Sequence, residues 1–190
     1  MEIHVFGLGA IGSNLIIQLM KQYPNFKYFG YDFDIIEDRN IGPQAFFKEQ
    51  VKAPKTYAIP VIAQRYLRKI DYTPKNIKLE KPPTDLINKE GVLVLDCFDN
   101  SKSRKLLAHK ASNILHVGFS PFYTAEIMWD SSYEVPGDVD PSRADVCELI
   151  DATPFIHFIV NLSALVISKN INESIQENYL ITNKYHLKKI

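Results

Sequence analysis

A glycine-rich turn directly follows the first apolar run of the sequence. Residues Met1 to Val5 predict a short strand, Gly7-Leu8-Gly9-Ala10-Ile11-Gly12 follows, and helical spacing begins at Ser13. In this context the first glycine permits a tight turn, the second lets backbone approach a phosphate, and the third allows close helix packing. The free N–H groups at the helix start attract anions. The pattern therefore predicts a nucleotide bound at Gly7, Gly9, Ala10, Ile11 and Gly12.

Strand-like and helix-like segments alternate along the rest of the chain, as expected for a parallel sheet covered by helices. Strands are predicted at 27–33, 76–80, 92–95, 114–117 and 125–129, and helices at 59–70, 104–112 and 154–175. The tail from Asn183 predicts a short strand or a frayed end. We therefore expect an α/β, Rossmann-like three-layer domain over residues 1–190, with a mainly parallel sheet and a C-terminal antiparallel extension.

The segment from Ser131 to Asp145 interrupts this alternation. It contains Pro136, Gly137 and Pro141 among polar residues, and loops of this length are usually functional. We expect a lid or a substrate-crossing loop at about residues 131–147.

Composition narrows the classes of function. The 22 basic and 22 acidic residues give a net charge of +0, which does not favour nucleic acid or an anionic membrane as a partner. Two cysteines, Cys97 and Cys147, cannot form a four-thiolate zinc site. The start of the sequence lacks the features of a secretory signal, so we expect a cytoplasmic protein. Its most apolar segment, Phe155 to Ile167, is shorter than the about twenty residues of a membrane span and predicts a buried helix.

Polar residues follow the predicted strands at the sheet edge where open α/β sheets bind ligands. Asp32 comes about twenty residues after the last glycine, where such folds place the acid that binds ribose hydroxyls. The apolar run Val92 to Leu95 leads into Asp96-Cys97-Phe98-Asp99-Asn100. The other candidates are Asp34, Arg39, Asn40, Gln44 and Lys55.

In this order the motifs resemble the ThiF/MoeB/HesA family, the adenylating domain shared by ubiquitin-activating enzymes and activators of bacterial sulfur-carrier proteins. The resemblance rests on the glycine turn, Asp32-Phe33-Asp34 with Asn40 and Gln44, Lys55, and Asp96 to Asn100 followed by Arg104. It implies an ATP- and Mg²⁺-dependent adenylyltransferase that activates a carboxylate, in particular the C-terminus of a ubiquitin-like or sulfur-carrier protein. It further implies a homodimer or a heteromer with another subunit.

The resemblance also assigns a role to each residue. Asp32 would hold the ribose, Asn40 and Gln44 would orient phosphate or substrate, and Lys55 would contact the phosphates. Asp99, beside Asn100, would bind Mg²⁺. Adenylation requires such groups because a carboxylate oxygen attacks the α-phosphate while pyrophosphate leaves, and the developing charge must be stabilised.

The sequence departs from the family pattern at Pro43, where the family has an arginine that contacts the triphosphate. Proline supplies neither a charge nor an N–H donor. Arg39 is the candidate to replace that contact, although a surface arginine is an equally good interpretation. Family members also carry an arginine on helices before the first strand; because this sequence begins at that strand, we expect that contact to be missing.

Cys147 matches the cysteine that forms covalent intermediates in some family members. Its predicted place at a helix start favours a thiolate, whereas Asp145 and Glu148 oppose one, and a small buried thiol is the alternative.

Two other functions remain open. The first alternative to an adenylyltransferase is a catalytically weak binding or scaffold subunit of a heteromeric activating enzyme. The second is an NAD-dependent oxidoreductase, which would leave Lys55, Asp99 and Asn100 unexplained. Singly, the motifs also have local explanations: Asp34 as a turn cap, Lys55 as a solvated charge, and Asp96 to Asn100 as a strand end with a helix cap.

Overall fold

A computed structural model describes residues 1–120, 123–137, 152–182 and 185–190. Eight strands form one sheet in the order β3-β2-β1-β4-β5-β6-β7-β8. They are β1 (Glu2–Phe6), β2 (Lys27–Tyr31), β3 (Asp71–Lys75), β4 (Val92–Asp96), β5 (Ile114–Phe119), β6 (Ala125–Trp129), β7 (Tyr179–Thr182) and β8 (His186–Lys189). The helices are α1 (Ala10–Gln22), α2 (Lys55–Ala63), α3 (Ser101–Lys105) and α4 (Ala152–Glu173), and short 3-10 turns span Asp38–Asn40, Lys48–Gln50 and Asp130–Ser132.

Strands β1 to β5 are parallel, and β6, β7 and β8 continue the sheet antiparallel. This confirms the predicted α/β class with a mainly parallel sheet and an antiparallel C-terminal extension. The chain order reverses at β1, which pairs with β2 on one side and β4 on the other. Open sheets bind ligands at the carboxyl ends of the strands beside such a reversal. Both the glycine turn after β1 and the Asp96–Asn100 motif after β4 lie there.

Apolar side chains bury both faces of the sheet. All five residues of β4 are buried, as expected for a central parallel strand. One face packs under α1, α2 and α4, with Leu15, Ile59 and Ile159 in the same apolar cluster as Ile3. On the other face, Phe6 of β1 packs in a smaller cluster that includes Leu107.

Helix α4 is a core helix. Its 22 residues make it longer than the apolar segment noticed in the sequence, and by length and composition alone it could cross a bilayer. Half of its most apolar window is buried inside the protein, however, and the helix packs against α1. The buried face of the helix includes Phe155, Ile156 and Ile159, which belong to the apolar core.

Three predicted elements were misplaced. The strand expected at 76–80 is β3, at Asp71–Lys75, where it pairs with β2 at the sheet edge. An edge strand tolerates Pro74, because its missing N–H is not needed there. The helix expected at 59–70 is α2, which begins at Lys55 because the Lys55 N–H bonds the Asp34 carbonyl (3.0 Å) at its entry, and ends at Ala63.

The helix expected at 104–112 is the short α3. Its N-cap is Asn100, whose Oδ1 accepts the Ser103 N–H at 2.9 Å. The chain leaves the helix early because Asp130 accepts the N–H groups of His109 and Ala111. The predicted loop begins in the turn Asp130–Ser132 and continues irregularly over residues 133–137; its remainder and Cys147 lie outside the described residues.

Candidate active site

The glycine turn has the geometry of a cradle. Gly7 has a φ of +85°, and a Cβ there would lie 2.8 Å from the Cys97 carbonyl oxygen. A Cβ at Gly12 would lie 1.9 Å from the Gly7 carbonyl oxygen. Gly9 is the N-cap of α1, and nothing lies within 4 Å of the position its Cβ would take. Two glycines are therefore required by packing, and the third leaves open space at the start of the helix.

Asp32 ties the turn to the end of β2. One carboxylate oxygen accepts the Leu8 N–H at 2.7 Å, and the other accepts the Asp34 N–H at 2.8 Å. Burial raises the pKa of Asp32, while the positive charge of Lys55 and the two backbone donors act in the opposite direction. Since each carboxylate oxygen has two lone pairs, the group still has capacity to accept hydroxyl donors.

The loop that carries Asn40, Pro43 and Gln44 is bound to α1. The Asn14 side chain donates to the Pro43 carbonyl oxygen at 2.9 Å, and Pro43 itself is buried. Asn40 is buried and accepts the Glu37 N–H. Gln44 is buried as well, and its Oε1 has no hydrogen-bond partner within the described ranges. A buried amide without its partner is the kind of group that a ligand satisfies.

Two cations stand at different depths. Lys55, the first residue of α2, is 8% exposed, and its Nζ lies 3.1 Å from the Asp34 carboxylate, which is 51% exposed. Arg39 is 57% exposed and pairs with Glu37 at 2.6 Å. The burial of Lys55 makes it more than a solvated surface charge.

Asp99 is exposed just after β4. One of its oxygens accepts a hydrogen bond from the Asn100 side chain at 3.1 Å. Within the described residues no three His, Cys, Asp or Glu side chains cluster as a metal site. Asp99 suits a Mg²⁺ ion that takes its remaining oxygen ligands from phosphate and water.

These residues face one cavity of about 350 Å³, which we call the first cavity. Of the residues predicted from sequence, it brings together Gly7, Gly9, Ala10, Ile11, Asp32, Asp34, Arg39, Asn40, Gln44, Lys55, Asp99 and Asn100. Gly12 does not line it and serves packing, and Cys97 is a buried thiol whose pKa is raised by burial. The site residues that sequence reasoning missed are Tyr31, Phe33, Ile77, Lys78, Leu79, Ser103, Val117, Gly118 and Phe119.

A second cavity of about 220 Å³ adjoins the first. The two share Asp99, Arg104, Gly118 and Phe119 in their lining. Between them the Arg104 guanidinium lies against Gly118, where a Cβ would meet its Nη2 at 2.1 Å. The junction therefore needs glycine at this position of β5.

Arg104 is held by a buried polar network. Its guanidinium donates to the Phe98 carbonyl oxygen (2.8 Å), the Tyr133 hydroxyl (2.7 Å) and the Glu126 carboxylate (3.0 Å). The Tyr133 ring stacks on His116 with 3.7 Å between centroids.

His116 lies between two buried aspartates. Its Nδ1 is 2.7 Å from Asp96 and its Nε2 is 3.0 Å from Asp130. Burial alone would lower the pKa of His116, but the hydrogen bonds to Asp130 and Asp96 outweigh burial and raise it above the usual value. The imidazolium form is thus favoured, with its charge compensated on both sides.

The comparison with protein families decides the relationship. The model of the ThiF family matches residues 1–125. The chain belongs to the ThiF family. This confirms the relationship expected from the motifs, and the match includes the glycine turn, Asp32, Lys55 and Asp99.

Solved structures share the fold of this ThiF-family chain. PaaA superposes with a TM-score of 0.74 at 13% identity, E. coli MccB with ATP with 0.75 at 13%, and E. coli MccB with MccA with 0.76 at 14%. Each comparison covers 100% of this chain but only 63% of the other, so the chain spans less than two thirds of these proteins. No curated protein matches it in sequence.

Proposed function

We propose that this protein is an ATP-dependent adenylyltransferase that activates a carboxylate. The observation that carries the proposal is the junction at Asp99, Arg104 and Gly118, where a nucleotide-sized cavity built on a glycine turn meets a second cavity. Nucleotide binding alone would need only the first cavity. An adenylating enzyme needs a place for the acyl substrate beside the α-phosphate.

Each group in the first cavity then has a role. The open start of α1 at Gly9 would receive phosphate oxygens on backbone N–H groups. Asp32 would accept the ribose hydroxyls, and Phe33 and Ile77, exposed at the cavity wall, would contact the base. Lys55 would balance phosphate charge from the α2 side.

Asp99 would hold Mg²⁺, which neutralises phosphate charge during phosphoryl transfer. A substrate carboxylate arriving from the second cavity would attack the α-phosphate, and the bond to pyrophosphate would break as the acyl–oxygen–phosphorus bond forms. No proton has to move, because the nucleophile is already an anion. The demand on the protein is therefore alignment and charge stabilisation.

The carboxylate is proposed to be the C-terminus of a small ubiquitin-like or sulfur-carrier protein. The enzyme itself is proposed to act in the cytoplasm as a homodimer or as a heteromer with another subunit. The resemblance of the motifs supports this choice. Among the neighbours, E. coli MccB has been solved with ATP and with MccA, which shows that the shared fold accommodates both kinds of ligand in that protein.

Pro43 supports a second candidate, a catalytically weak subunit that needs a partner. Pro43 is buried and its carbonyl is bound by Asn14, so no cation extends from this position towards the first cavity. Arg39 lines that cavity but is half exposed and paired with Glu37. A second subunit would then supply the missing positive charge.

ATP–pyrophosphate exchange with a panel of peptide and carrier-protein carboxylates tests the proposal. Exchange by the isolated chain supports the enzyme, and exchange that appears only with an added subunit supports the second candidate. Tight NADH binding without measurable ATP affinity would instead favour the oxidoreductase.

Asp99→Ala is the variant that links this activity to the site. It should remove Mg²⁺-dependent exchange while leaving the fold intact, because Asp99 is exposed and does not cap α3. The matched control is Asp71→Ala, at the amino end of β3 and exposed. Unchanged exchange in the Asp99 variant would remove Asp99 from the mechanism.

A further inference from the structure

The second cavity contains a carboxylate that the proposed chemistry does not use. Glu126 lies on β6 and lines this cavity with a side chain that is 21% exposed. Its Oε1 accepts hydrogen bonds from Arg104 Nη1 (3.0 Å) and the Tyr133 hydroxyl (3.4 Å). Within the part of the chain that the structure describes, no donor bonds the other oxygen, Oε2. One oxygen is thus anchored and the other is available to a ligand.

The anchoring is rigid. Arg104 is fixed by the Phe98 carbonyl oxygen and by Tyr133, whose ring stacks on His116. Buried polar networks whose hydrogen bonds are satisfied are rigid. Glu126 therefore presents a preorganised acceptor.

The charge of the pair defines which ligands suit that acceptor. Arg104 and Glu126 carry opposite charges, and Asp99, which also lines the second cavity, would be neutralised by Mg²⁺ under the proposed function. The second cavity is then close to neutral, and apolar residues such as Phe119, Leu180 and Ile181 complete its wall. A ligand ammonium would lose hydration there without a net countercharge, and a ligand carboxylate would meet the free oxygen of Glu126. A neutral N–H donor would gain a charge-assisted hydrogen bond at no such cost.

The position of Glu126 in the second cavity determines which N–H group of the substrate it can accept. Glu126 is hydrogen-bonded to Arg104, which lines both cavities, so a substrate whose carboxylate lies at the junction would pass its preceding residue through the cavity that Glu126 lines. We infer that Glu126 is a specificity-determining residue that accepts a hydrogen bond from the amide N–H closest to the reacting carboxylate. It selects an acylated nitrogen over the free ammonium of an amino acid. The inference rests on the proposed function, since it takes the second cavity as the place of the acyl substrate.

A peptide and its depsipeptide test this contact, because they differ in one N–H. The probes are a short acetylated alanine–glycine peptide, the same chain with an ester in place of the last amide, and free glycine. The wild-type protein should favour the peptide over the depsipeptide by about tenfold or more in kcat/KM for pyrophosphate exchange. In Glu126→Gln, Arg104 retains the side-chain oxygen and the amide NH₂ faces the cavity, so the preference should fall to about one.

Glu134→Gln is the matched control, because Glu134 is exposed and does not line the second cavity. It should keep the wild-type preference. Circular dichroism melting checks that Glu126→Gln folds; if it does not, Glu126→Asp, which keeps the charge and withdraws the free oxygen, should show the same loss of preference.

The outcomes separate the inference from the proposed function. Exchange with an unchanged peptide preference in the Glu126 variants overturns the inference and leaves adenylation standing. If no probe supports exchange, calorimetric binding of the same probes decides: a Glu126-dependent preference for the peptide upholds the inference without adenylation. Absence of both exchange and peptide binding overturns both.

Discussion

The two cavities meet at the same four residues but are built by different means. The first is shaped mainly by backbone: a glycine turn, a helix start and strand ends form it, and polar side chains on the neighbouring segments line it. The second is shaped by a buried network in which Arg104, Glu126, Tyr133 and His116 hold one another. The difference teaches that a nucleotide site can be specified locally, whereas the acyl side depends on long-range packing.

The largest effect is expected from His116→Ala, which disrupts the buried network behind the second cavity. The variant leaves Asp96 and Asp130 buried without their common partner, and breaking a buried ion pair costs about 3–5 kcal/mol. Urea unfolding should show this loss in the free energy of unfolding. The control His186→Ala, on the exposed strand β8, should change it by less than about 0.5 kcal/mol. Equal stability of the two variants would mean that the network does not support the fold.

Two glycine variants should separate packing from binding in the first cavity. Gly12→Ala places a Cβ against the Gly7 carbonyl and should destabilise the protein by about 1–3 kcal/mol. Gly9→Val places its side chain in open space, so thermal unfolding should change little while calorimetry detects no ATP binding. ATP bound by Gly9→Val with wild-type affinity would contradict a phosphate at this turn.

Lys55→Met should weaken ATP binding by about 10- to 150-fold, the equivalent of one charge-assisted hydrogen bond. The fold should survive, because the partner Asp34 is half exposed and remains solvated. Lys48→Met, an exposed control in the 3-10 turn that precedes α2, should bind ATP as the wild type does. A Lys55 variant with lower stability and unchanged ATP affinity would contradict this prediction and give Lys55 a structural role.

The smallest effect is a dependence of stability on pH. The pKa of His116 is raised above 6.5 in the folded protein, so its contribution is complete below that pH and is lost as pH rises through the folded-state pKa. The loss is about 1.4 kcal/mol for each unit of the raise. Unfolding free energies at about pH 6 and about pH 9 should therefore differ more in the wild type than in His116→Gln. Parallel curves would place the proton elsewhere.

The sequence predicts the first cavity well because its signals are local. The turn from Gly7 to Gly12, the acid Asp32 and the fully apolar β4 are read from neighbouring residues, and they fix both the sheet class and the binding edge. The error at β3 removed Ile77, Lys78 and Leu79 from the site. Pro74 argues against a strand at residues 71–75. A strand forms there because β3 is the edge strand beside β2, where the missing N–H of proline is tolerated.

The second cavity could not be predicted in the same way. His116 and Asp130 are 14 positions apart, and Arg104 and Tyr133 are 29 apart, with no fixed spacing between them. Whether these side chains are partners depends on the register of β5 against β6, which is decided by packing. Glu126 therefore looks like an ordinary polar residue of an alternating strand.

The two hydrogen bonds that Asp32 accepts from the backbone have a consequence for how a nucleotide binds. Its two oxygens already hold the N–H groups of Leu8 and Asp34, so the turn is set by folding and not by the ligand. A loop that must be ordered on binding loses affinity to conformational entropy, at roughly 1–2 kcal/mol for each residue fixed. Here that cost falls on folding, and association can proceed as docking into a finished shape, with a rate governed by diffusion and charge.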